Sequence, residues 1–278
     1  LNFFIYPLIS GSLSVISNWH YECSSFLNLF FYIPQKYSFD ILNFTMVRNQ
    51  GLFWEPGVLQ VFLNILLFLS LFVRRFKLIM VGLVSLAILT TLSTTGLLVM
   101  LLQFTIYSTT VIRKNIFLLP IILSLFLGLY FITSLNLTDK ILGDGATSFQ
   151  VRLFDLVQPV LIAVDYPFTG IGLDDQQYIE VRNRIDYNLW IEGISFDSIE
   201  KGATNSIMFF LASTGFPATI FLLLMLYRQT MITNYKKLFF VIMVFSLMTE
   251  PLLLKPFFFI FVISGVIYSL NKFRWKTY

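Results

Sequence analysis

The chain has 278 residues, of which 57% are hydrophobic, 18% aromatic and only 12% charged, with a mean hydropathy of +0.79. Soluble domains carry roughly 25% charged residues, so composition excludes an ordinary soluble protein and points to the membrane class. One Cys and one His exclude an internal disulfide and any zinc site built from His and Cys. The net charge of +4 fits an anionic partner, but where the charges fall matters more than their sum.

In chain order, residues 1–17 are apolar enough to be a membrane span or the tail of one. The chain opens on an apolar stretch beginning with Leu, with no basic leader region, and reads as a partial chain. Residues 18–56 are mixed and hold His20, Glu22, Lys36, Asp40, Arg48 and Glu55. Residues 57–73 form the next span and end at Arg74, Arg75 and Lys77. Residues 78–112 then run without a charge, broken by Thr90-Thr91-Leu92-Ser93-Thr94-Thr95-Gly96, up to Arg113-Lys114. Residues 116–135 are a further span. Residues 207–227 follow the long loop as another, ending in Arg228 with Lys236-Lys237 beyond it. Residues 238–270 are apolar but interrupted by Glu250-Pro251 and Lys255-Pro256.

Charge sets the expected orientation. The segments 74–77, 113–114, 228–237 and 272–276 hold eleven basic residues and no acidic one. Cytoplasmic loops attract Lys and Arg, so all four should lie inside. Residues 78–112 then cross twice, in two short spans of about 16 residues that turn at the Thr/Ser/Gly break. The same logic makes 238–270 a pair meeting near Glu250 and Lys255. The expectation is an all-α, polytopic helical membrane protein: a single membrane domain over 1–278 with about eight spans and external segments 18–56 and 136–203.

The second external segment is the polar centre of the chain. Residues 139–205 hold eleven acidic and five basic residues. Two amphipathic helices are expected in it. In the first, Val151, Phe154, Val157 and Leu161 form an apolar stripe opposite Arg152, Asp155 and Gln158, until Pro159 disturbs the pattern. In the second the stripe is Tyr178, Val181, Ile185 and Leu189. Both would lie on the outer membrane surface and roof a cavity between the spans.

Four groups of residues could carry chemistry, and each has a structural reading beside the functional one. Arg152 is either a surface charge paired with Asp155 at i+3 or a planar fork for phosphate oxygens. Arg182 and Arg184 have carboxylate partners four residues away, Asp186 and Glu180, or they bind substrate. Arg48-Asn49-Gln50-Gly51-Leu52-Phe53-Trp54-Glu55-Pro56-Gly57 opens a span, with Trp54 as interface anchor and Glu55 favoured by the positive helix terminus. Tyr166-Pro167-Phe168-Thr169-Gly170-Ile171-Gly172 is a turn, or a backbone surface on which Gly170 and Gly172 let a ligand approach. Asn205 leads into a span holding Ser213-Thr214-Gly215, where polar groups cap and pack helices or meet substrate.

The order of these motifs is more specific than any of them alone. Arg-x-x-Gly-x-Phe-Trp-Glu-Pro-Gly before a span, then Leu-Ser-Thr-Thr-Gly, then Arg152 followed by Pro-Phe-Thr-Gly-Ile-Gly, then Asn205-Ser206 before a Gly-containing span, resembles the O-antigen polymerase and O-antigen ligase families. The resemblance covers roughly residues 45–225. It implies a metal-independent membrane glycosyltransferase without cofactor, in the bacterial plasma membrane with its large loop outside. Its substrate would be an undecaprenyl-pyrophosphate-linked glycan. Membrane lipid, a chain-length regulator and a flippase would be its partners, and nucleic acid would not. Ligases typically carry His before the Asn that opens the span after the loop. Here Thr204 precedes Asn205, which favours the polymerase branch.

On that resemblance Arg152 and Arg48 stabilise the departing pyrophosphate, a role a chelated metal would otherwise fill, and the chain has no Asp-x-Asp sequence. Glu55, with Asp174 or Asp175 behind it, assists the acceptor hydroxyl as base. Gly170, Gly172, Arg182, Arg184 and Asn205 contact substrate. Three alternatives stand beside this reading: the ligase reaction, a transporter or flippase of a lipid-linked glycan, and a non-catalytic scaffold of the cell envelope.

Overall fold

Helices in this chain stop where polar residues and proline interrupt the apolar runs, and the stops are sealed by hydrogen bonds from elsewhere in the same unit. A computed structural model describes residues 6, 8–18, 21–26, 30–34, 38–41, 44–53, 55–74, 77–112, 127, 128, 130, 134, 146–184 and 204–274. The chain divides into two compact units, Leu1–Asn136 and Leu137–Tyr278.

The first unit opens on strands. After a 3-10 turn at Ser10–Ser12, β1 (Ser14–Asn18), β2 (Tyr21–Phe26) and β3 (Phe30–Pro34) form an antiparallel sheet in that order, and β4 (Ser38–Ile41) pairs with β5 (Phe44–Val47). This corrects two expectations. The fold is mostly helical but not all-α, and the described part of residues 1–17 is helical only at residues 6, 8 and 9, then a 3-10 turn and strand, rather than a full span. Serine and the β-branched residues of Ser14-Val15-Ile16-Ser17 suit a pleated strand better than a helix interior, and a hydropathy window does not separate the two.

Among the described residues of this unit, the strands are followed by the helices α1 (Pro56–Phe68), α2 (Leu78–Thr91) and α3 (Thr94–Ile112). Pro56 occupies the first turn of α1, where a missing N–H costs nothing. The helix runs on through a π-helical turn, Leu69–Val73, closed by the Arg74 N–H on the Leu69 carbonyl at 2.9 Å. Val58, Val61, Ile65, Phe68, Ile88, Leu97 and Met100 form the buried core. The expected break falls in place. Leu92 takes a left-handed conformation (φ 48°) that ends α2, and α3 starts two residues later with Ser93 accepting the Leu97 and Gly96 N–H groups.

The second unit contains α4 (Ala146–Asp165), α5 (Asp175–Arg184), α6 (Ser206–Arg228), α7 (Lys236–Thr249) and α8 (Pro256–Arg274). Helices α4, α7 and α8 all pack on α6. The approach of α8 is close: a Cβ on Gly265 would stand 1.9 Å from the Met225 carbonyl oxygen. Ser206 Oγ ties the α7–α8 turn to the start of α6, lying 2.6 Å from the Leu247 carbonyl and 2.9 Å from that of Glu250 while accepting the Leu253 N–H at 3.3 Å.

Among the described residues three helical segments are long and apolar enough to cross a membrane, Pro56–Val73, Thr94–Val111 and Ser206–Arg228, with Leu78–Thr91 and Pro256–Lys272 as shorter apolar helices. The paired short segments expected on either side of Thr90–Gly96 and of Glu250–Lys255 are present as helices. The span expected over 116–135 lies almost wholly outside the described residues. So do 185–203, His20, Lys36, Trp54, Arg75 and Arg113-Lys114.

Candidate functional site

The expected apolar stripe of α4 is inverted in part. Phe154 is buried, but Val157 is exposed and Leu161 only half-buried, whereas Asp155 and Gln158, expected on the polar face, are each 1% exposed. The side chain of Val151 lies outside the described residues. Burial of Asp155 and Gln158 is possible because each finds partners. The Asp155 Oδ2 atom accepts both the backbone N–H of Thr204 (2.9 Å) and its hydroxyl (2.5 Å), and Gln158 Nε2 donates to the Arg182 carbonyl (3.4 Å). The Gln158 Oε1 atom is buried without a hydrogen-bond partner among the described residues.

One turn before Asp155 stands Arg152, half-buried, with neither a hydrogen bond nor an ion pair among the described residues. The i+3 pair with Asp155 does not form. Arg152, Asp155 and Gln158 thus make a ladder along one helix. Each step rises by about 4.5 Å, and neighbouring rungs are within reach of one ligand. Asn205, 3% exposed, caps α6 by accepting the Met208 N–H at 3.0 Å. Arg182, also 3% exposed, places its guanidinium 4.9 Å from the centre of the Phe154 ring. Its expected partner Asp186 and the side chain of Arg184 lie outside the described residues.

The turn Tyr166–Gly172 plugs a break in α6. Gly215 leaves helical geometry (φ 78°, ψ 177°), and Pro217 has no N–H to offer the Ser213 carbonyl four residues back. The Gly172 N–H supplies that bond at 2.8 Å. Phe216 N–H turns to the Pro167 carbonyl (2.9 Å), so the Ala212 carbonyl takes the Ile171 N–H instead (3.1 Å). Gly170 (φ +61°) passes so close that a Cβ would stand 2.3 Å from the Ser213 carbonyl carbon. The N–H groups of Ile171 and Gly172 are therefore spent on helix carbonyls rather than presented as an anion cradle. Beneath this turn Ile162, Ile171, Tyr178 and Ala212 form a small core, with Phe209 edge-on to Tyr178 at 5.1 Å. Asp174 Oδ1 accepts the Gln176 N–H at the start of α5, a local capping role, and Asp175 is exposed in the first turn.

The remaining candidates belong to the first unit. Arg48 caps the end of α2: its Nε donates to the Thr91 carbonyl at 2.9 Å and its Nη2 to that of Leu92 at 3.3 Å. Asn49 bonds Thr90 through both backbone and side chain. Glu55 is the residue before α1, extended and half-buried, and its side chain makes no capping bond. Deeper in this unit lies an amide cluster between α1 and α3. Asn64 Nδ2 donates to Gln60 Oε1 (3.0 Å) and to the Gly96 carbonyl (3.2 Å), and Gln103 Nε2 donates to Asn64 Oδ1 (3.0 Å). All three amides are at most 1% exposed.

Sequence reasoning missed Asp155 and Thr204 as a bonded pair. The available signal was a carboxylate at i+3 from an arginine in a helix whose other residues are mostly apolar. Fold and site together define a mostly helical protein that has, among the described residues, three helices long and apolar enough to cross a membrane. No protein-family model, curated protein or solved structure matches the chain.

Proposed function

We propose that this chain is a polytopic glycosyltransferase of the bacterial plasma membrane that polymerises undecaprenyl-pyrophosphate-linked oligosaccharide repeat units at the outer face, into O-antigen, capsule or exopolysaccharide. The observation that carries the reading is Arg152, a guanidinium without a protein partner among the described residues, at the head of a ladder of buried polar groups. The ordered motifs and the polar block between apolar segments support it. With the short helices counted as crossings, and with the span expected over 116–135, the chain crosses about seven times; the eighth expected crossing, residues 1–17, is not a full span.

In this reaction the donor's pyrophosphate leaves with the electron pair of the anomeric C–O bond. Arg152 offers it two parallel N–H donors in a partly dehydrated setting, where such bonds are strongest. The acceptor hydroxyl attacks from the opposite face and inverts the anomeric centre. Arg48 already has helix carbonyls as partners, so Arg152 carries the pyrophosphate role. Membrane lipid, a chain-length regulator and a flippase complete the expected partners.

Arg152→Lys keeps the charge and loses the planar fork. A surface-glycan gel should show loss of the polymer ladder while protein level and membrane insertion hold, and Arg152→Ala should be at least as severe. A normal ladder from Arg152→Ala would overturn the assignment. The broken helix α6 favours a second reading, transport of a lipid-linked glycan, because interrupted helices occur in transporters. A deletion strain separates the readings. A single repeat unit on surface lipid supports the polymerase. Glycan trapped inside supports transport, and long polymer held on the polyprenyl carrier supports a ligase.

A further inference from the structure

We propose that Thr204, backed by the buried Asp155, is where the acceptor hydroxyl docks and gives up its proton; this rests on the glycosyltransferase reading above. A hydroxyl has one proton, and that of Thr204 is committed to Asp155 Oδ2 at 2.5 Å. What remains on the half-buried Thr204 oxygen is lone pairs, so a ligand meeting it must donate. Gln158 Oε1, one turn along α4 from Asp155 and buried without a partner among the described residues, makes the same demand. Two acceptors backed by a carboxylate suit a sugar hydroxyl, and Arg152 stands one turn away on the other side for the pyrophosphate. A tether between α4 and the start of α6 needs only the Thr204 backbone N–H, which Asp155 already holds at 2.9 Å. The second bond and the orphaned Gln158 oxygen have no part in such a tether.

The step balances as follows. The acceptor O–H proton passes to Thr204 Oγ1 while the Thr204 proton passes to Asp155 Oδ2. The acceptor oxygen bonds to the anomeric carbon as the anomeric C–O bond to phosphate breaks, its electron pair leaving on the polyprenyl pyrophosphate. Asp155 is then protonated and returns its proton to the departing pyrophosphate or to water. Thr204 touches the substrate, and Asp155 acts through it.

The test uses the full chain purified and returned to lipid vesicles, with lipid-linked glycan extracted from cells lacking this protein as the probe. Thr204→Val should lower kcat by about 100-fold or more with KM within about threefold of wild type, the scale of a lost acid–base step. Thr204→Ser should keep kcat within about threefold, since it restores the hydroxyl. Asp155→Asn should match Thr204→Val, and the double variant should be no slower than either single, as for groups that act as one unit. The proposal is overturned if Thr204→Val matches an active wild type. It is equally overturned if the two losses multiply, or if Asp155→Asn loses activity only in step with its unfolding midpoint. Should Thr204→Val fail to insert, Thr204→Ala is judged by the same criteria. A wild type inert on the extracted glycan would instead overturn the polymerase reading, and this proposal with it.

Discussion

Gly170→Ala is the substitution whose consequence follows most directly from the geometry. Its new Cβ would lie 2.3 Å from the carbonyl carbon of Ser213 and 2.4 Å from the Thr214 nitrogen, both of them backbone atoms that cannot rotate away. The turn must retreat by about 1 Å to restore van der Waals separation. That stretches the Gly172 N–H to Ser213 bond (2.8 Å) and the Ile171 N–H to Ala212 bond (3.1 Å) past useful length. The two carbonyls then lose their partners inside a buried stretch of α6, at roughly 1–3 kcal/mol each. A left-handed alanine (φ +61° at this site) adds about 1–2 kcal/mol. The expected loss is therefore roughly 3–8 kcal/mol, enough to consume most of a typical margin of stability. The assay is unfolding in mixed micelles titrated with denaturing detergent. Gly172→Ala is the control: it also has positive φ (+99°) but meets only the flexible Gln177 Oε1 at 3.3 Å, so backbone strain alone should appear, of order 1–3 kcal/mol. Stability of Gly170→Ala within about 0.5 kcal/mol of wild type would refute the plug.

Other outcomes follow from the same reading. Asn64→Leu should destabilise the first unit by about 1–3 kcal/mol for each buried amide group it leaves unpaired, and adding Gln103→Leu should return part of the loss in the same unfolding assay. Arg48→Ala should lower stability by about 1 kcal/mol through loss of the α2 cap, with a surface-glycan ladder close to normal; a lost ladder at unchanged stability would give Arg48 the catalytic role instead. Reporter fusions after residues 114, 233 and 275 should report cytoplasm and those near 40 and 170 the outside, and a cytoplasmic signal at 170 would reverse the orientation.

Helix boundaries were legible because they depend on local signals. Pro56, the Thr90–Gly96 run and the Glu250–Pro256 interruption each mark a true end, and Tyr178 is buried as its spacing predicted. The strands between Ser14 and Val47 were not legible, because an apolar stretch with serines serves a strand or a short span equally well by hydropathy. On α4 the periodicity places Phe154 correctly but Val157, Asp155 and Gln158 on the wrong faces, for a different reason. Amphipathic periodicity assumes that water takes the polar face, yet here the carboxylate of Asp155 is satisfied by Thr204, 49 residues away in sequence. No local pattern carries that information. The site was legible in Arg152 and Asn205 as residue types, but the bond that groups Asp155 with Thr204 exists only in three dimensions.

The four motifs whose order suggested a family are, in structure, two bonded pairs. Arg48 and Asn49 close the end of α2 at the Thr90–Gly96 break, and Ile171 and Gly172 close the gap in α6 left by Gly215 and Pro217. In each pair a polar segment lying before an apolar helix supplies N–H donors to carbonyls that a later break exposes. An apolar surrounding offers no water for such carbonyls, so a broken helix and its sealing segment must come together or not at all. That requirement accounts for Arg48, Gly170, Gly172 and Gly215 without invoking a substrate. It accounts for neither the guanidinium of Arg152 nor the oxygen of Gln158, both without a partner among the described residues, between which Asp155 binds the Thr204 hydroxyl. Other buried side-chain atoms without a partner among the described residues, Gln60 Nε2, Gln103 Oε1, Ser213 Oγ and Ser246 Oγ, lie on α1, α3, α6 and α7. On α4 the orphaned oxygen shares its helix with Arg152 and with a carboxylate that binds a hydroxyl, and that grouping is where the proposed chemistry is to be sought.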